Sequence, residues 1–237
     1  MYLSKFLSTS GVCSRRKATD AIKSGMVTIN DKIVHEPFYD VQPNDEVCFE
    51  GQLVHQTKKF IYILLNKPED CITTVSDESS RRTVLDLVNF KTEARIYPVG
   101  RLDRMTTGLL ILTNDGELTK KLTHPSYEFT KKYLVKLDKL FQVNDLKQLA
   151  AGIDLEDGFI KPDSVYYNHN KPASKVIVEI HSGKNRIIRR MFEHFGYQVL
   201  KLNRFFYAGL TSKDLEVGKW RHLTAQEVAN LKGKKGK

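Results

Sequence analysis

Gly100-Arg101-Leu102-Asp103-Arg104-Met105-Thr106-Thr107-Gly108-Leu109-Leu110-Ile111-Leu112-Thr113-Asn114-Asp115-Gly116-Glu117 is the stretch from which the rest of the chain can be read. Its second half is a short apolar run closed by Asp-Gly, the length and turn chemistry of a buried strand. Its first half leaves one carboxylate, Asp103, between Arg101 and Arg104. Both arginines favour the charged form of that acid. Residue type alone leaves two readings. Asp103 caps a turn completed by Thr106 or Thr107 and Gly108, or it is a nucleophile at a site that handles a polyanion. The arginines and the position just ahead of a strand favour the second.

Outward from this stretch, apolar strand candidates recur at Ile61–Leu65, Leu109–Leu112, Tyr133–Leu137, Val176–Ile180 and Val199–Leu202. Helical patterns stand between some of them, at Gly116–Leu122, Val143–Ala151, Ile187–Phe195 and Thr224–Leu231. The alternation predicts a mixed α+β domain over residues 60–231, its sheet mainly antiparallel and its helices at the sides. No internal repeat and no Gly-rich nucleotide loop interrupts it.

Residues 1–50 read as a separate helix–helix–sheet module. Leu3, Phe6 and Leu7 form one apolar face, and Gly11 ends the first helix. Ser14 is placed as an N-cap, Ala18, Ala21 and Ile22 face inwards, and Gly25 closes the second helix. Val27-Thr28-Ile29, the Asn30-Asp31 turn and Glu46-Val47-Cys48-Phe49 supply the sheet. Residues 51–59 read as a polar linker, and residues 232–237 as a solvated basic tail.

The 237-residue chain has a formal charge of +10 and a pI near 9.4, which suggests a polyanionic partner. The charge is unevenly placed. From His181 to Lys237 thirteen Lys and Arg face four acids, and residues 1–30 hold five bases against Asp20 alone. Arg15, Arg16, Lys17 and Lys23 therefore decorate one helix, either as a solvated face or as a surface for phosphate. No apolar run approaches the roughly 18 residues of a membrane span, and the N-terminus lacks the apolar core of a signal peptide. Cys13, Cys48 and Cys71, odd in number and without a Cys-x-x-Cys spacing, are expected to be reduced thiols in a cytoplasmic protein. The seven histidines show no metal-ligand spacing.

Three further segments carry candidate chemistry. Asn66-Lys67-Pro68 ends a strand and is expected to leave Lys67 at a loop mouth. Lys131-Lys132-Tyr133-Leu134-Val135 opens a strand on a tyrosine that packs or meets a ligand. In Gly183-Lys184-Asn185-Arg186-Ile187-Ile188-Arg189-Arg190-Met191-Phe192, the residues Ile188, Met191, Phe192 and Phe195 follow a buried helical stripe. Arg186, Arg189, Arg190 and Glu193 fall on the opposite side. An arginine from this segment is in a position to pair with Asp103.

The N-terminal residues Leu3–Leu7, Ser14–Ala18, Ile22–Val27, Ile29-Asn30 and Pro43–Val47 together resemble the alpha-L RNA-binding module, with Tyr2 where arginine is usual. The four segments of the large domain, in this order behind such a module, resemble the RsuA/RluB-type ribosomal RNA pseudouridine synthases. That resemblance implies Asp103 as catalytic carboxylate, Tyr133 stacking on the target base and Arg189 pairing with Asp103. It implies Arg101 in the space left by an extruded nucleotide. Arg15, Arg16, Lys17, Lys23, Lys67, Lys184, Asn185, Arg186 and Arg190 complete the expected RNA contacts. Ile187 replaces a usual glutamine and Ser182 a usual glutamate.

The implied reaction breaks the N1–C1′ bond of a uridine and rejoins the base through C5, needing neither cofactor nor metal. Attack of Asp103 at C1′, attack at C6 and stabilisation of a glycal all remain open. Leu122-Thr123-His124-Pro125-Ser126 looks more like the large-subunit branch, with small-subunit RNA the other option. The expected partner is ribosomal RNA or a partly assembled subunit, and the expected state a monomer, since no coiled-coil seam is visible. Two other readings remain. A catalytically silent RNA-binding or assembly factor could use the same scaffold. A hydrolase would need Asp115 or Glu117 to converge on Asp103.

Overall fold

The structure, a computed structural model, describes residues 1–56, 59–75, 77, 79–88, 94–169 and 171–233. Thr57 and Lys58 of the expected linker, and Lys234, Lys235 and Lys237 of the expected tail, lie outside them. The chain divides into two compact units. One is built on Met1–Ile61 with short returns at Phe90–Ile96 and Asn114–Gly116, the other on the remainder from Tyr62.

In the first unit α1 (Leu3–Thr9) and α2 (Arg15–Lys23) pack on a four-stranded antiparallel sheet. Its strands β1 (Val27–Ile29), β2 (Lys32–Ile33), β3 (Val47–Phe49) and β4 (Gln52–Leu53) lie in the order β2-β1-β3-β4. Ser14 caps α2 by accepting the Lys17 N–H at 3.2 Å. Leu3, Leu7, Ala18, Ile22 and Val27 are wholly buried. Asn30-Asp31 turns the first hairpin with both φ positive, at 49° and 64°, which matches the right-handed twist of its strands. Glu50-Gly51 turns the second in the same way, at 49° and 76°. That second hairpin corrects the expected linker: Gln52 and Leu53 pair with Phe49 and Cys48, so the module's sheet runs past residue 50.

The second unit follows in chain order: β5 (Tyr62–Lys67), β6 (Tyr97–Pro98), β7 (Thr106–Thr113), α3 (Gly116–Thr123), β8 (Lys131–Leu137) and α4 (Val143–Ala151). Then come β9 (Ile153–Leu155), β10 (Gly158–Ile160), β11 (Ser164–Tyr167), β12 (Lys175–Ile180), α5 (Ile187–Glu193) and β13 (Val199–Tyr207). β14 (Leu210–Thr211), β15 (Trp220–His222) and α6 (Ala225–Gly233) complete it. The main sheet has the order β11-β12-β8-β13-β7-β5-β15, with β14 on β13 and β6 on β7. Among the described strands of this sheet only β13 and β7 run parallel, so it is mixed and mainly antiparallel, as expected. β9 and β10 form a separate hairpin.

β7 explains why the opening stretch decides this fold. Leu109, Leu110, Ile111 and Leu112 are all wholly buried, so both faces of the strand are covered. Leu109 and Ile111 share a cluster with Leu118 and Leu122 of α3 and Leu231 of α6. Burying four such side chains contributes about 1.5–3 kcal/mol each. Gly108 lies where β7 meets β13. Its φ is +114°, and a Cβ there would stand 2.3 Å from the Arg204 carbonyl oxygen. Only glycine permits that approach.

Two expectations change. α5 ends at Glu193, so Phe195 lies beyond the helix, where its ring meets Phe141 edge-on. Lys232, placed in the tail, belongs to α6.

Candidate active site

The loop before β7 is fastened on both sides of Asp103. On one side the Thr73 hydroxyl donates to the Leu102 carbonyl at 2.7 Å and accepts the Leu102 N–H at 3.2 Å. On the other, Lys67 Nζ donates to the carbonyls of Pro68, Arg104 and Thr106 at 2.9, 3.1 and 2.8 Å. The Asp103 carbonyl also accepts the Thr106 N–H at 3.0 Å. The carboxylate is thus carried on a short backbone segment whose neighbours cannot drift.

This arrangement corrects the role expected for Lys67. It is fully buried, and all three of its protons are given to backbone carbonyls, so it is an anchor of the loop and not a contact for RNA. Burial pushes its ammonium down to about 8. Of the two flanking arginines, Arg101 lines the same cavity as Asp103 and Arg104 is engaged elsewhere. Arg104 pairs outward with Asp70, and Arg101 is exposed. The cations near Asp103 come instead from the segment eighty residues on. Arg186 Nη1 lies 3.9 Å and Arg189 Nε 4.0 Å from Asp103 Oδ2.

The two arginines are held differently. Arg189 has only 12% of its side chain exposed, although a helical wheel puts it opposite the apolar stripe. Its Nη1 donates to the Val199 carbonyl at 2.9 Å, and its Nε is buried without a hydrogen-bond partner among the described residues. Arg186 stands at the N-terminal end of α5 in the left-handed region, φ +47°, and also faces Glu193 at 3.7 Å.

Asp103 borders a cavity of about 180 Å³, also lined by Tyr133, Arg186, Ile187, Leu202, Arg204 and Tyr207. That exceeds the roughly 10–15 Å³ that one water requires. Tyr133 is a buried residue of β8 whose hydroxyl makes no hydrogen bond among the described residues. The residue lines the cavity beside Asp103. Ile187 gives the cavity an apolar wall where a glutamine would give a polar one.

Two cations deeper in the cavity are not singled out by the sequence. Arg204 is buried, donates from Nε and Nη2 to the Leu109 carbonyl at 2.9 and 2.7 Å, and lies 4.5 Å above the Tyr207 ring. The only signal for it is a lone charge within the apolar run Leu202–Tyr207. Lys131 donates to the His181 and Ser182 carbonyls at 2.7 and 3.2 Å. Burial, with the charge of Arg204 second, pushes it down to about 8. Burial pushes the Tyr207 phenol up to about 12 while it donates to the Leu122 carbonyl at 3.1 Å.

The other expected RNA contacts divide into two groups. Arg15, Arg16, Lys17 and Lys23 are all exposed on α2. Lys184 and Asn185 lie in the turn before α5, and Arg190 lies within that helix. Lys184 and Arg190 are both engaged by Asp157, a residue with no local sequence signal to single it out. Among the described residues no group of three or more His, Cys, Asp or Glu is placed to hold a metal ion. The three cysteines are free, and no described helix is long and apolar enough to cross a membrane.

Comparison with known proteins accounts for this arrangement. Residues 61–194 match the RNA pseudouridylate synthase family, and residues 2–47 match the S4 domain. The "Ribosomal large subunit pseudouridine synthase B" of Bacillus subtilis (strain 168) is 41% identical over 97% of this chain and 95% of its own length. The "Dual-specificity RNA pseudouridine synthase RluF" of Escherichia coli (strain K12) is 36% identical over 97% of this chain and 77% of its own. A crystal structure of a pseudouridylate synthase superposes with a TM-score of 0.70 at 30% identity, covering 98% of this chain and 99% of that one. The chain belongs to the RNA pseudouridylate synthase family, in its RsuA/RluB-type branch with an N-terminal S4 module.

Proposed function

We propose that this protein isomerises a specific uridine to pseudouridine in ribosomal RNA, with large-subunit RNA the favoured substrate. The observation that carries the chemistry is the single carboxylate Asp103, fixed between two backbone anchors at a cavity that Tyr133 also lines, with Arg189 Nε 4.0 Å from its Oδ2. The similarity to a relative named for the large subunit favours that RNA, and the dual-specificity relative keeps the target range open.

In this reading the target nucleotide leaves its stack, at a cost of a few kcal/mol. Stacking of the uracil on Tyr133 returns about 1–3 kcal/mol, and phosphate contacts supply the remainder. Asp103 is the catalytic carboxylate, and Arg189 orients it from the buried side. The N1–C1′ bond breaks, the base turns, and a C5–C1′ bond forms; N1 gains a proton and C5 gives its hydrogen to solvent. No electrons are gained or lost overall, so the isomerisation asks for no redox cofactor.

The exposed Arg15, Arg16, Lys17 and Lys23 of α2 contact the RNA backbone, positioning the substrate without reading its bases. Arg101, Asn185 and Arg186 contact the RNA near the target. The protein works as a cytoplasmic monomer on ribosomal RNA or a partly assembled subunit. Incubation with large- and small-subunit transcripts, followed by mapping of pseudouridine at nucleotide resolution, tests the assignment. One new pseudouridine in the large-subunit RNA supports it. Modification confined to the small-subunit RNA contradicts the preferred substrate, and modification of neither naked nor partly assembled RNA contradicts the activity.

A further inference from the structure

Lys184 and Arg190 belong to the most basic segment of the chain, and each is expected from sequence to hold phosphate. Both are already taken by one carboxylate at the tip of the β9–β10 hairpin. Lys184 Nζ donates to the Asp157 carbonyl at 2.8 Å and lies 3.7 Å from its Oδ2. Arg190 Nη1 donates to Oδ2 at 3.1 Å while Nη2 pairs with Oδ1, a two-pronged contact that fixes direction as well as distance. The same Arg190 Nη1 donates to the Asn185 carbonyl at 3.3 Å.

These contacts grip the Gly183–Arg186 turn at two points, Lys184 within it and Arg190 in the helix that follows. The turn finishes on Arg186 in the left-handed region, a conformation a non-glycine residue keeps only when its surroundings impose it. From that position the Arg186 guanidinium lies 3.9 Å from the Asp103 carboxylate. Surface ion pairs of this kind contribute little to stability, so the arrangement calls for another use.

We propose that Asp157 is a positioning residue for the isomerisation: it takes Lys184 and Arg190 out of RNA binding and uses them as struts that set Arg186 against Asp103. The proposal rests on the reading of Asp103 as the catalytic carboxylate. It predicts that the hairpin acts on the rate of the chemical step and not on affinity.

The test compares wild type with Asp157→Asn, Asp157→Glu, Lys184→Ala and Asp103→Asn on transcribed large-subunit RNA, in single turnovers at saturating enzyme. Asp157→Asn should lower the rate constant roughly tenfold, about 1.4 kcal/mol by transition-state arithmetic, with RNA affinity unchanged or tighter. Asp157→Glu, which keeps the charge, should recover most of the rate. Lys184→Ala should leave the salt dependence of RNA binding unchanged, whereas loss of a phosphate contact would reduce the logarithmic slope by about 0.7–0.9. A wild-type rate in Asp157→Asn, an Asp157→Glu no better than Asp157→Asn, or a reduced slope in Lys184→Ala overturns the proposal. Thermal midpoints of the variants separate lost folding from lost positioning. Should Asp157→Asn not fold, a normal rate in the exchanged pair Asp157→Arg with Arg190→Asp still supports the strut, and a tenfold loss in that folded pair overturns it. Activity in Asp103→Asn would instead strike at the underlying catalytic reading.

Discussion

Gly108→Ala is the substitution whose consequence follows most directly from the geometry. The glycine has φ +114°, and the added methyl carbon would meet the Arg204 carbonyl oxygen at 2.3 Å and its nitrogen at 2.6 Å. No flexible side chain is available to yield, because the obstructing atoms are backbone. They belong to the parallel ladder in which Leu202, Asn203 and Arg204 face Thr106, Thr107 and Gly108. Backbone strain at a positive φ costs about 1–2 kcal/mol, and forcing an extra carbon into a packed contact adds about 1–3 kcal/mol. A total near 4 kcal/mol lowers the thermal midpoint of the larger unit by roughly 8–16 °C. Gly218→Ala supplies the control, since Gly218 has φ +84° with nothing within 4 Å of its Cβ. It should show the strain alone, roughly 2–8 °C. The assay is calorimetry of both variants beside wild type. A midpoint drop for Gly108→Ala no larger than that of Gly218→Ala would refute the reasoning, because the clash would then have found a cheap way to relax.

Other expectations concern charge and the cavity. Lys131, pushed down to about 8, loses its proton earlier in the folded state than in the unfolded one, where the ordinary value is 10.5. Between those values the unfolded chain binds more protons, so folding stability rises with pH; below about 8 the penalty of the buried charge is present in full. The thermal midpoint of wild type relative to Lys131→Met should therefore rise from about pH 7 to about pH 9.5, and a flat or falling difference counts against it. Tyr133→Phe keeps the ring and should retain most of the turnover, while Tyr133→Ala loses the stacking surface and should fall about tenfold or more in kcat/KM; equal losses in both would point to the hydroxyl. Arg189→Ala removes a guanidinium held on the buried side of Asp103, and a loss of roughly 10²-fold in kcat is expected. An equal effect on RNA affinity alone would show that Arg189 binds substrate without touching the chemical step.

The sequence made β7 legible because four consecutive aliphatic residues bounded by threonine and Asp-Gly leave few alternatives. Ser14 was legible for a similar local reason, a hydroxyl just ahead of an apolar-periodic helix. β13 was read too short: its second half carries Asn203 and Arg204, and only the neighbouring β7 carbonyl at Leu109 makes a buried arginine acceptable there. β9 and β10 were missed because three-residue strands around Glu156-Asp157 carry too little periodicity to register. The candidate site followed the same division. Asp103, Tyr133 and Arg189 stood out by motif; the fold places Asp103 and Tyr133 on one cavity and Arg189 Nε 4.0 Å from the carboxylate. Lys67 was misread, since nothing local reveals that three carbonyls from residues 68, 104 and 106 will surround its ammonium. Asp157 is separated from the residues it grips by about thirty positions, and only the hairpin brings it to them.

The fate of the hydrogen at C5 decides whether Asp103 performs the chemistry. Joining the base through C5 expels the hydrogen held there, so RNA labelled with tritium at C5 of uridine reports every turnover as tritiated water. Wild-type protein on labelled ribosomal RNA should release one equivalent per modified site. Asp103→Asn, matched in size and folded to the same thermal midpoint, should bind that RNA with undiminished affinity and release none. Release by Asp103→Asn at a rate near that of wild type would contradict the assignment of the catalytic carboxylate and the mechanism built on it.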